Sequence, residues 1–200
     1  MNTIKNSKSL MIILHEIYGI NNHMLKTEEY WRNRGFDVII PNFYENNEKF
    51  EYQEEKDAYE YFNNIGFNTC VCKVNELIKE SKKTYKHIFL IGYSIGATVA
   101  WLCSENSECS GIVCYYGSRI RDYIQINPLC PSLVIFASTE NSFNVQEIAS
   151  TIDKADNTEV YILEGKHGFA DLFSRNYSSD SEKAGNELVK LFLYRRIKNG

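Results

Sequence analysis

His87-Ile88-Phe89-Leu90-Ile91-Gly92-Tyr93-Ser94-Ile95-Gly96 is followed without a break by Ala97-Thr98-Val99-Ala100-Trp101-Leu102-Cys103. The first five residues are apolar or β-favouring, as in a buried strand. The last stretch has no strand alternation and reads as a helix, Ile95–Cys103. Between them stands Gly-x-Ser-x-Gly. A strand that turns this sharply into a helix needs small residues two before and two after the serine. The serine is then held in a strained backbone with its Oγ projecting from the sheet. The Ile95 N–H opens the helix and is placed to face an oxyanion.

A serine nucleophile needs a base, and the chain has four histidines. His167, in Gly165-Lys166-His167-Gly168-Phe169, follows the last expected strand and fits best. His87 opens a strand at the wrong end, His23 lies near a helix start, and His15 follows the first strand and is expected to line the site. The orienting acid is expected between serine and base. Glu140 ends the stretch Ser132-Leu133-Val134-Ile135-Phe136-Ala137-Ser138-Thr139, and Asp122 is the reserve. The plain alternatives are a loop histidine without a role and a solvated loop glutamate.

Outward from this centre the chain alternates short apolar runs with amphipathic stretches. Strands are expected at Leu10–Leu14, Asp37–Ile40, His87–Ile91, Gly111–Tyr115, Leu133–Phe136 and Glu159–Leu163. Helices are expected at His23–Arg34, across Tyr59, Phe62, Val71, Val74, Leu77 and Ile78 as one or two pieces, and at Val145–Lys154 and Glu182–Arg196. Residues 42–54 read as a loop. Repeated β-α units with apolar strands predict an α/β protein with a parallel sheet covered on both faces. The bland alternative is a doubly wound nucleotide-binding fold. Against it, His15-Glu16-Ile17-Tyr18-Gly19 follows the first strand and places a carboxylate where a phosphate would sit.

Two hundred residues suit a single domain spanning the chain, 44% hydrophobic and 24% charged. A net charge of −4, without a basic stripe, predicts no nucleic-acid partner. No apolar run approaches a membrane helix, and Leu10–Leu14 behind Lys5 and Lys8 is too short for a signal peptide. Six cysteines without a targeting signal predict a reducing, cytoplasmic setting, most of them as small core hydrophobes. Cys70-x-Cys72 is too tight for a zinc knuckle, so no metal ligand set is expected.

Together these motifs resemble the dienelactone hydrolase family of α/β-hydrolases. The resemblance rests on residues 15–19, on Gly35-Phe36-Asp37-Val38-Ile39-Ile40-Pro41-Asn42-Phe43-Tyr44, on the serine turn, on Tyr115-Tyr116-Gly117, on the strand ending at Glu140 and on His167-Gly168-Phe169. It implies a catalytic triad of Ser94, Glu140 and His167, oxyanion donors at the N–H groups of Ile95 and Ile17, and Glu16 close to the nucleophile. It also implies a trimmed α/β-hydrolase of about six parallel strands in the order 2-1-3-4-5-6, without a cap domain. That order reverses between strands 1 and 3, where a crevice opens at the strands' carboxyl ends. Three positions depart from the family. Serine replaces the cysteine nucleophile of its best-known members, Glu140 stands where aspartate is usual, and Asp171 occupies a position that holds arginine in the dienelactone enzymes. Hydrolase chemistry is therefore expected rather than dienelactone hydrolysis itself.

The expected activity is hydrolysis of a small carboxylic ester or lactone through an acyl-enzyme on Ser94, without metal or organic cofactor. The expected partner is a small-molecule substrate, and the oligomeric state stays open. A thioesterase or peptidase with the same triad, or a non-catalytic α/β binding module, are the other readings. The segment from Gly117 to Pro131 is too short for a cap, so an open cleft is expected. Residues 42–58 would wall one side, with Tyr44, Tyr116 and Phe169 as apolar walls and Arg119 as the one nearby cation. Glu16 and Asp171 would make the cleft acidic.

Overall fold

The computed structural model describes residues 9–199; Lys5 and Lys8 lie outside the described residues. Six strands form one sheet: β1 (Ser9–Leu14), β2 (Asp37–Ile39), β3 (His87–Tyr93), β4 (Gly111–Tyr115), β5 (Ser132–Thr139) and β6 (Thr158–Lys166). Their order is β2-β1-β3-β4-β5-β6, and every pairing is parallel. Four α-helices connect them, α1 (Asn22–Arg32), α2 (Glu55–Ser81), α3 (Ile95–Leu102) and α4 (Val145–Ile152), and α5 (Ser179–Asn199) follows β6.

The central strands bury both faces, and their period of two divides the core into two layers. Leu10, Ile12, Leu14, Leu90, Ile112, Val134 and Phe136 pack with α2, α3 and α4 residues such as Phe62, Val74, Trp101 and Ile152. The alternate positions Met11, Ile13, Phe89, Ile91, Val113 and Ile135 pack with Met24 and Trp31 of α1 and with Val189 and Phe192 of α5. A one-residue slip of any central strand would exchange these layers, so burial on two sides specifies the register strongly.

Several elements differ in extent from the sequence expectation. The segment before Lys86 is one helix, α2, broken at Gly66, whose φ of 74° and ψ of 161° leave the helical region. Residues 42–54 contain two short 3₁₀ turns, Glu45–Asn47 and Tyr52–Glu54. Strand β6 runs past Leu163 to Lys166, extending the edge of the sheet to the residue before His167. Between β4 and β5, in the segment expected to be too short for a cap, lies a 3₁₀ helix, Ser118–Tyr123. All six cysteines are free, and five are buried. No described helix is long and apolar enough to cross a membrane.

Candidate active site

The turn from β3 into α3 is built around two glycines. A Cβ on Gly92 would lie 2.1 Å from the Gly96 carbonyl oxygen, and one on Gly96 would lie 2.2 Å from that of Leu14. No side chain fits at either position. Ser94 between them has φ 54° and ψ −114°, a conformation that costs on the order of 1–3 kcal/mol. The surrounding structure holds it: Ser94 N–H donates to Tyr115 O at 3.0 Å, and Thr98 N–H donates to Ser94 O at 3.2 Å. Ile95 is the first residue of α3, where a backbone N–H has no acceptor within the helix.

Ser94 Oγ lies 2.9 Å from His167 Nε2, and His167 Nδ1 lies 2.9 Å from Glu140 Oε1. The three come from the ends of β3, β6 and β5. Asn176 Nδ2 donates to the His167 carbonyl at 2.8 Å, which fixes the loop behind the ring. The Tyr116 ring packs against the imidazole with centroids 5.0 Å apart. Burial opposes charge on His167, but the hydrogen bond and charge of Glu140, with Glu16 and Glu55 further off, outweigh it and raise its pKa. Asp122 is ion-paired with Arg119 and Arg121 instead of meeting a histidine.

The turn after β1 is held from beneath. Phe43 N–H donates to His15 Nε2 at 3.0 Å, so Nδ1 carries the proton and donates to Glu16 O at 2.6 Å. Burial lowers the His15 pKa to about 4, which agrees with a neutral ring. Tyr44 Oη donates to Ile17 O at 2.6 Å.

Ser94, Glu16, Ile17, Glu140 and His167 all line one cleft, of about 1010 Å³. The walls correct the sequence expectation. Tyr44 and His15 are buried under the turn after β1, and Phe169 and Tyr116 are fully buried in the core. None of the four lines the cleft. Tyr44, Tyr116 and Phe169 each remove more apolar surface from water in the core than at a rim, and His15 is held there by its two hydrogen bonds to backbone. Arg119 does not line it either, being paired with Asp122. The aromatic lining is Tyr18, Tyr52, Tyr59 and Phe173. Residues 52–59 do wall one side, through Tyr52, Gln53, Glu55 and Tyr59.

Sequence reasoning missed one cluster. His23, in the first turn of α1, faces Glu16 and Asp171. Tyr52 Oη donates to Asp171 Oδ2 at 2.5 Å, across 119 positions of sequence. Burial would raise the Glu16 pKa, but His23 and His167 outweigh it and hold the carboxylate below its ordinary value. That direction favours the carboxylate over a hydrogen-bond-donating carboxyl group. Burial and the Glu16 charge push Asp171 up despite His23. Only the short distance from Glu16 to His23 in sequence could have hinted at this cluster.

The sequence pattern of the dienelactone hydrolase family matches residues 2–196. The uncharacterized protein YczH of Bacillus subtilis (strain 168) is 42% identical over 166 residues, covering 82% of this chain and 81% of its own. A protein of Klebsiella pneumoniae assigned as a dienelactone hydrolase superposes with a TM-score of 0.75 at 16% identity, over 96% of this chain and 89% of its own. A protein of Xanthomonas campestris described as a hydrolase of the alpha/beta superfamily gives 0.64 at 12% identity, over 92% of this chain and 98% of its own. At those identities the structural likeness speaks for the fold, which is that of the α/β-hydrolases.

Proposed function

The chain belongs to the dienelactone hydrolase family, and from that premise we propose that it hydrolyses small neutral carboxylic esters or lactones through an acyl-enzyme on Ser94. The observation that carries this reading is the continuous array Ser94 Oγ, His167 Nε2, His167 Nδ1, Glu140 Oε1, with both contacts at 2.9 Å and the serine open to a cleft.

With Nδ1–H donating to Glu140, the Nε2 lone pair of neutral His167 faces the Ser94 hydroxyl. As Oγ bonds to the substrate carbonyl carbon, its proton passes to Nε2. Glu140 stabilises the imidazolium. Collapse of the tetrahedral intermediate breaks the bond to the leaving oxygen, which takes the proton from Nε2. Water then repeats the sequence on the acyl-serine and releases the acid.

Two backbone donors suit the oxyanion. The Ile95 N–H opens α3 beside the nucleophile. The Ile17 N–H belongs to the same trans peptide unit as the Glu16 carbonyl, and the two point in opposite directions. Since His15 holds that carbonyl from beneath, the N–H is directed away from His15. Donors fixed before reaction stabilise developing charge without reorganising. Tyr18, Tyr52, Tyr59 and Phe173 offer apolar surface to the substrate. The carboxylates of Glu16, Glu55 and Asp171 on the same cleft oppose anionic substrates.

A fluorophosphonate probe tests the nucleophile, and a panel of ester, lactone and thioester substrates tests the bond. Labelling at Ser94, lost in Ser94→Ala, is expected, with turnover of esters or lactones. A folded chain that neither labels nor turns over any panel member would instead be a binding module.

A further inference from the structure

Glu16, His23 and Asp171 come from three separate segments: the turn after β1, the first turn of α1 and the stretch after β6. Their exposures are 4%, 4% and 1%. His23 Nδ1 lies 3.7 Å from Glu16 Oε2 and 3.9 Å from Asp171 Oδ2, too far to hydrogen-bond with either. Among the described residues that buried nitrogen has no hydrogen-bond partner. It points into a gap between two carboxylates.

One ligand atom from each group lies within 4.8 Å of the other two. With separations of 3.7 and 3.9 Å from Nδ1 and a third side of at most 4.8 Å, a point equidistant from all three is about 2.0–2.5 Å from each, the length of metal–nitrogen and metal–oxygen bonds. The charge argument agrees. Two buried carboxylates this close are unfavourable unless paired or bound to a cation. No lysine or arginine nitrogen of the described residues lies within 4.0 Å of either one; the counter-charge at that distance is His23 itself, whose pKa the two carboxylates raise against burial, and a divalent cation would take the place of that proton.

We propose that Glu16, His23 and Asp171 bind one divalent first-row cation, with His23 Nδ1 as the nitrogen ligand. An imidazole with two carboxylates suits Zn²⁺, Mn²⁺ or Fe²⁺. Outer contacts already orient the ligands. Tyr52 Oη and Phe173 N–H donate to the two Asp171 oxygens, and the Tyr93 ring meets the His23 ring edge-on with centroids 4.6 Å apart. Glu16 and Asp171 both line the cleft. The ion would also tie the stretch after β6 to the turn after β1 and the start of α1. Its three ligands are not members of the triad Ser94, His167 and Glu140, although Glu16 and Asp171 share their cleft, and its test does not depend on hydrolysis.

The test uses the untagged full chain, stripped with chelator and titrated with Zn²⁺ and Co²⁺. One ion per chain is expected. Co²⁺ should give visible d–d absorption without the near-ultraviolet thiolate bands that cysteine ligands would add, and Zn²⁺ should displace it. His23→Ala and Asp171→Asn should each weaken uptake by at least about tenfold. Zn²⁺ should raise the Tm of the native chain but not of either variant. Absent stoichiometric uptake, uptake unchanged in both variants, or thiolate bands would each overturn the proposal. So would a stripped native chain whose His23 resonates as imidazolium and is unaffected by Zn²⁺, since a proton would then balance the carboxylates. If the variants do not fold, X-ray absorption on the Co²⁺-loaded native chain decides. One imidazole with oxygen ligands is expected, and a sulfur ligand overturns it.

Discussion

The Tyr44 hydroxyl donates to the Ile17 carbonyl at 2.6 Å, from beneath the turn that carries one of the two proposed oxyanion donors. Tyr44 thereby positions backbone without touching substrate. Tyr44→Phe keeps the ring and removes this bond, worth on the order of 1 kcal/mol. We expect kcat to fall by roughly three- to tenfold with little change in KM. Steady-state kinetics on an ester, beside a thermal melt, would show this. A change confined to Tm would make Tyr44 merely structural.

Ser94→Ala and His167→Ala should each remove nearly all activity, a loss of about 10⁴-fold or more in kcat. Glu16→Gln keeps shape without charge and should retain a substantial part. A carboxylate held below its ordinary pKa is a poor base for a serine hydroxyl, so proton transfer falls to His167. If Glu16→Gln were folded and as inactive as Ser94→Ala, the carboxylate would be a direct participant.

The raised His167 pKa gives a pH profile with a definite sign. With neutral His167 as the proposed base, kcat/KM should rise with pH through a midpoint above the ordinary value of 6.5. Glu140→Gln removes the strongest raising influence and should move that midpoint down. The stability contribution runs the other way. It is present below the unfolded pKa and is lost as pH rises through the folded one. A midpoint at or below 6.5 in the native enzyme would contradict this assignment.

Arg119 is paired with Asp122 and half-exposed, where ion pairs contribute about 0–1 kcal/mol. Arg119→Ala should therefore leave turnover of neutral esters near that of the native chain, and stability nearly unchanged. Selective loss of activity on substrates with a free carboxylate would show that the arginine leaves Asp122 to hold them.

Gly96→Ala places a Cβ 2.2 Å from the Leu14 carbonyl oxygen. Backbone must move, and overpacking of this kind costs about 1–3 kcal/mol. Denaturant unfolding should show that loss, with activity falling further than stability because Ser94 moves too. Native-like activity would mean the turn has slack that its contacts do not suggest.

What could be read from the chain alone was whatever depends on neighbours in sequence. The period of two in Leu10–Leu14, His87–Ile91 and Gly111–Tyr115 divides each strand between two core layers. The glycines two before and two after Ser94 are required by one local turn. The order of Ser94, Glu140 and His167 follows from strands that all end on one edge of a parallel sheet. The walls of the cleft were not legible in this way. Tyr44, Tyr116, Phe169 and His15 are aromatic residues beside the right motifs, yet burial took them into the core, while Tyr52, Tyr59 and Phe173 were left on the cleft. An aromatic ring is favoured in either place, and only the packing of distant segments decides between them. The cluster of Glu16, His23 and Asp171 belongs with these, since the chain brings Asp171 to the others only when β6 takes its place at the sheet edge and returns across the strand ends.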